Sequence, residues 1–156
     1  MRPRAGAVPL AVLAAWALAG CGSSVSPAAA VKSWAAAGSF DQSVQTLERD
    51  ATRVHDAIGA RRPAIVVRTD CAELFQDAEG ENTDLLPTPD PQLTLHLSAS
   101  YDRFVHASSA CVTSPGARGV LAAVDRDLAA SLGDLYAAVL REEAVTGRHL
   151  AVPGQR

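Results

Sequence analysis

The stretch SFDQSVQTLERDATRVHDAIG, residues 39–59, places Phe40, Val44, Leu47, Ala51, Val54 and Ile58 at alternating spacings of four and three. A period of 3.6 residues brings positions so spaced onto one face, so the stretch predicts an amphipathic helix with its apolar seam turned to a core. Glu48, Arg49, Asp50, Arg53 and Asp56 fall mostly off the seam and read as a solvated face, and His55 reads as a surface histidine.

The pattern recurs further along the chain. After the turn Arg61-Arg62-Pro63, residues 64–78 carry the seam Ala64, Val67, Cys71, Leu74, Phe75 and Ala78. The β-branched run Ile65-Val66-Val67 would suit a strand, but no partner strand exists elsewhere, so a helix is expected. Residues 79–90, with Gly80, Asn82, Pro87 and Pro89, read as a loop crossing the end of a bundle, and their carboxylates lack the spacing of a calcium loop. Asp90-Pro91 combines a capping side chain with proline at the first helical position and opens a helix to about Val112, with the seam Leu93, Leu97, Tyr101, Phe104, Ser108 and Cys111. Ser114-Pro115-Gly116 turns the chain into a last helix from Ala117 to about Val145, whose seam is Ala117, Leu121, Val124, Leu128, Ser131, Leu132, Leu135 and Val139; Gly147 can end it. Upstream, Ser26-Pro27 begins a short helix to Ala37 with Val31 and Trp34 on one face, Trp34 being expected to pack it onto the bundle. Aromatic residues make up only 4% of the chain, too few for a β-sandwich. The expected fold is all-α: an antiparallel four-helix bundle with a short leading helix.

The chain opens differently. Arg2 and Arg4 precede an apolar run from Ala5 to Ala19 that ends in small residues, the layout of a secretory signal. Leu18-Ala19-Gly20-Cys21 at its end resembles the bacterial lipobox. The resemblance implies cleavage before Cys21, a diacylglyceryl thioether on Cys21 with acyl chains of the palmitate type, and anchoring at the extracytoplasmic face of the cell membrane. Two acyl chains suffice for stable attachment at about 0.8 kcal/mol per buried methylene. The run is shorter than a spanning helix needs. The expected layout is a signal peptide at 1–20, a lipid-attached tether and short helix at 21–38, a bundle at 39–147 and a flexible tail at 148–156. In composition the chain also resembles small lipoproteins of actinobacteria, a likeness that transfers no activity.

With the signal removed, the 14 basic residues fall to 12 against 17 acidic ones, a net charge of −5 in place of −3. That balance disfavours nucleic acid and anionic lipid as partners. Cys71 and Cys111 remain as an even pair in an oxidising compartment, and a disulfide between them would tie the second long seam to the third. Neither sits in the Cys-x-x-Cys context that makes a thiol reactive.

No catalytic constellation stands out. His96 and His106 are ten residues apart on different faces, so neither a two-histidine zinc motif nor the Glu-x-x-His of di-iron bundles is present, and no metal or cofactor is expected. Asp125 with Asp127, and Glu142 with Glu143, are spaced for solvation rather than for paired acid and base work. The expected function is a non-catalytic interaction or scaffold module, anchored through Cys21 and meeting another envelope protein. The alternative is a small-ligand-binding bundle with an apolar pocket near Phe75, Tyr101 and Phe104.

Overall fold

The computed structural model describes residues 25–149. The signal at 1–20, the lipobox-like stretch with Cys21, and the tail after residue 149 lie outside the described residues. Within them the chain forms five helices and no strand: α1 (Pro27–Ala37), α2 (Phe40–Gly59), α3 (Ala64–Asp84), α4 (Pro91–Thr113) and α5 (Arg118–Thr146). They pack as a helical bundle. α4 lies against α3 and α5, α2 lies against α3 and α5, and α1 sits on α2 and α5.

Local chemistry sets the helix ends. The Ser26 side chain accepts from the Ala29 N–H at 3.2 Å, and Pro27, which needs no donor there, follows it. Gly38 closes α1 by donating its N–H to the Trp34 carbonyl at 2.9 Å. A side chain at Gly38 would run into Leu85, so the small residue permits the close approach of the turn to the end of α3. Asp90 caps α4 by accepting from the Leu93 N–H at 2.8 Å. Gly147, at φ 69°, ends α5 in the left-handed conformation that costs glycine least, its N–H bonded to the Glu143 carbonyl at 2.8 Å.

The residues between helices differ from the sequence expectation at one place. The segment 79–84 continues α3, and only residues 85–90 connect it to α4. Gly80 costs a helix interior about 1 kcal/mol. Burial of Ala78 and Leu85 on either side holds the turn in register, and the Leu85 N–H still reaches the Glu81 carbonyl at 3.0 Å.

The core is one contiguous cluster in which Phe40, Leu47, Leu74, Leu93, Leu97, Tyr101, Phe104, Leu128 and Leu135 are fully buried. The α2 seam is buried as expected up to Val54, with Ile58 half-buried. On α3, Val67, Cys71, Leu74 and Ala78 face inward, while Ala64 is exposed and Phe75 half-buried. Trp34 joins the leading helix to this core. Its indole stacks obliquely on Phe40, ring centroids 5.2 Å apart, and donates to the Leu85 carbonyl at 2.9 Å. Trp34→Phe keeps the ring and loses the donor, so a loss of about 1 kcal/mol is expected in urea unfolding. Trp34→Ala, which also empties the contact, is expected to cost clearly more.

Candidate functional site

Cys71 on α3 and Cys111 on α4 are both fully buried and form a disulfide, with Cα atoms 6.0 Å apart. It joins the start of α3 to the end of α4, and the Val67 carbonyl lies 3.9 Å from the Cys111 sulfur. Buried and bonded, the pair is a structural tie.

Of the three residues expected near a pocket, Tyr101 and Phe104 are fully buried in the core and Phe75 is half-buried on α3. The Tyr101 hydroxyl has no hydrogen-bond partner among the described residues, and burial pushes its ionisation well up. Small polar groups share this interior: Ser100 donates to the Ser131 carbonyl at 2.9 Å, and Ser108 donates to the Phe104 carbonyl at 2.6 Å.

Two carboxylates that the sequence assigns to solvent are buried. The first is Asp50, whose side chain is 1% exposed. Arg53 donates to its Oδ1, as does Arg49 at 3.2 Å, and Arg53 also reaches Glu73 on α3 at 2.7 Å. Asp77 of α3 faces the same carboxyl. Burial works against a charge on Asp50, but hydrogen bonds from Asp77, Arg53 and Arg49 outweigh it and hold Asp50 below the ordinary carboxylate range. The hydrogen bond to Asp50, helped by burial, pushes Asp77 up to about 6. Protonation of Asp77 in weakly acidic solution therefore favours its placement on α3 beside Asp50 of α2.

The pH dependence follows from Asp77. A carboxyl raised in the folded state contributes stability that is complete below its unfolded value and is lost as pH rises through the folded one. Between pH 5 and pH 8 the protein is expected to lose about 1–2 kcal/mol, allowing for the solvent that reaches half-buried Asp77. Asp77→Asn keeps a donor toward Asp50 without the titration, so its urea midpoint is expected to stay level over that interval. An equally steep fall in the variant would remove Asp77 as the cause.

The second buried carboxylate is Glu142, which is fully buried near the end of α5. Its partner comes from beyond the helix. Arg148, past the turn at Gly147, donates to Glu142 Oε1 through Nη2 at 2.7 Å and Nε at 3.1 Å, and Nη2 also reaches Asp41 of α2 at 3.4 Å. Arg148 thus turns back onto the bundle from the segment expected to be a loose tail.

Other polar ties lie nearer the surface. Arg141 of α5 donates to both oxygens of Asp90 at 3.0 and 2.7 Å, and this pairing holds the Asp90 carboxyl down to about 2. Tyr136 donates to Glu48 Oε1 at 3.0 Å, and burial, with that bond, pushes Tyr136 up to about 12. His55 is exposed as expected, and its Nδ1 meets Asp125 of α5. Among the described residues no three histidine, cysteine or carboxylate side chains gather as metal ligands do. Each charge cluster bridges two or more structural segments, so its chemistry is that of holding helices together. Comparison with protein-family models, with curated proteins and with solved structures finds no match.

Proposed function

We propose that the chain is a membrane-anchored lipoprotein of the cell envelope, attached through a diacylglyceryl group on Cys21, whose helical domain acts as a non-catalytic interaction module. The observation that carries this reading is the lipobox-like Leu18-Ala19-Gly20-Cys21 at the end of an apolar run, six residues ahead of the first helical residue, Pro27. The spacing supports a domain held close to the bilayer by a short tether. None of the helices among the described residues is long and apolar enough to cross a membrane. The fold we assign to the module is an antiparallel four-helix bundle of α2 to α5. Support comes from the short connections and from neighbours that follow chain order, since α2 and α4 make no close approach and neither do α3 and α5.

The test is crosslinking in intact envelopes, comparing the native chain with Cys21→Ala. Recovery of one stoichiometric protein from the native chain alone is the expected result. Equal recovery from both forms would remove the role of the anchor, and a co-purified small molecule without a protein would replace recruitment with ligand binding.

A further inference from the structure

The overall negative charge conceals an uneven distribution. The α2–α3 connection and the α4–α5 connection lie at the same end of the bundle, because the Cys71–Cys111 disulfide ties the start of α3 to the end of α4 and His55 of α2 meets Asp125 of α5. Arg61, Arg62, Arg68 and Arg118 gather at that end, all exposed and, among the described residues, none in an ion pair. The arginines that do pair, Arg49, Arg53, Arg103, Arg141 and Arg148, are on the helix shafts or at the opposite end. That opposite end holds Asp41, Glu79, Glu81, Asp84, Asp90 and Glu142; Asp90 is paired there with Arg141, and Asp41 and the buried Glu142 with Arg148, which leaves Glu79, Glu81 and Asp84 as its surplus of negative charge. The nearest acidic residues are Asp56, within one turn of the end of α2, Asp70, two residues past Arg68, and Asp125, about two turns into α5.

The tip is also apolar. Residues 59–66, GARRPAIV, are exposed without interruption. Ile65 is 66% exposed and Val66 39%, although their neighbour Val67 is fully buried. Two large β-branched side chains at the start of a helix, with arginines before and after them, leave apolar surface in water that folding does not use. The exposed pair is too small for a standard protein interface, which buries about 800 Å² on each partner, and the tip carries no aromatic anchor. A convex basic tip with a shallow apolar point matches a soft polyanionic layer whose headgroups meet guanidinium groups while aliphatic side chains enter just beneath them.

We propose that this tip is a docking surface for anionic phospholipid headgroups. Arg61, Arg62, Arg68 and Arg118 supply the electrostatic attraction, and Ile65 and Val66 supply the shallow insertion. The acidic opposite end is repelled by the same surface, so the bundle stands with its tip toward the lipid. The proposal goes beyond the anchored-module reading and rests only on described residues, so it stands or falls independently of lipidation at Cys21.

The experiment is partition of the full chain onto vesicles of phosphatidylcholine alone and of phosphatidylcholine with about one third phosphatidylglycerol, with amide hydrogen exchange read on the bound protein. The apolar run at residues 5–19 contacts both vesicles, so the quantity of interest is the ratio between them. Each arginine near an anionic surface changes partition by about fivefold, so the native chain is expected to prefer the anionic vesicles by tenfold or more, with exchange slowed across 59–68 and the preference weakened by salt. Arg61→Glu/Arg62→Glu and, separately, Arg62→Glu/Arg118→Glu are expected to abolish the preference while the unfolding midpoint stays within the range of surface changes. Equal partition onto both vesicles, or a preference that survives both charge reversals, would overturn the proposal. Protection of 59–68 by polyglutamate but not by the anionic vesicles would also overturn it, in favour of an acidic polypeptide.

Discussion

Arg148→Ala is expected to lower the unfolding free energy by about 3 kcal/mol at neutral pH, because it strips the fully buried Glu142 of both donated hydrogen bonds. For a domain of this size that is roughly 10 °C in Tm. The cost is that of an uncompensated charge, since the second oxygen of Glu142 has no partner among the described residues. The double variant Arg148→Ala/Glu142→Leu is therefore expected to recover much of the loss, as replacement of whole buried pairs by apolar residues often does. Urea denaturation of the native chain and the two variants decides the matter. A cost below about 0.5 kcal/mol for Arg148→Ala would place the pair among ordinary surface salt bridges.

Removal of the disulfide is expected to have the other large effect. The cysteines are 40 residues apart, and closing a loop of that length restricts the unfolded chain by about 4 kcal/mol in the chain-entropy model. Cys71→Ala/Cys111→Ala should lose about that much, and thiol reduction of the native protein should produce a comparable fall once the buried bond is reached. The two sulfurs are fully buried, so reduction of the folded protein should be slow until urea opens the bundle. Retention of stability to within 1 kcal/mol in the double variant would assign the tie a negligible role.

The helices were legible because their signal is local. Spacings of four and three in α2, and the Asp-Pro signature before α4, are set by residues within a few turns of one another. The cysteine pairing was legible because Cys71 and Cys111 were the only two left once Cys21 was assigned to lipid, and both fell on seams. Asp50 and Glu142 were hidden for the opposite reason. Nothing adjacent to Asp50 announces that Asp77 on the next helix will face it, and Glu142 draws its partner from Arg148 across a glycine turn. The extension of α3 through Gly80 was equally hidden, since the packing of Leu85 outweighs a local preference for a break. Phe75 follows Leu74 directly on a seam only wide enough for one of them, which leaves Phe75 half-buried. The basic tip escapes a count of charges because its four arginines are offset by acidic residues at the far end.

The anchor is tested most directly by the intact mass of the protein isolated from envelopes, with fragmentation from its amino terminus. A chain that begins at Cys21, with a diacylglyceryl group on the Cys21 sulfur and a disulfide between Cys71 and Cys111, is the expected result. A chain that keeps residues 1–20, or one that begins elsewhere with an unmodified Cys21 thiol, would contradict it.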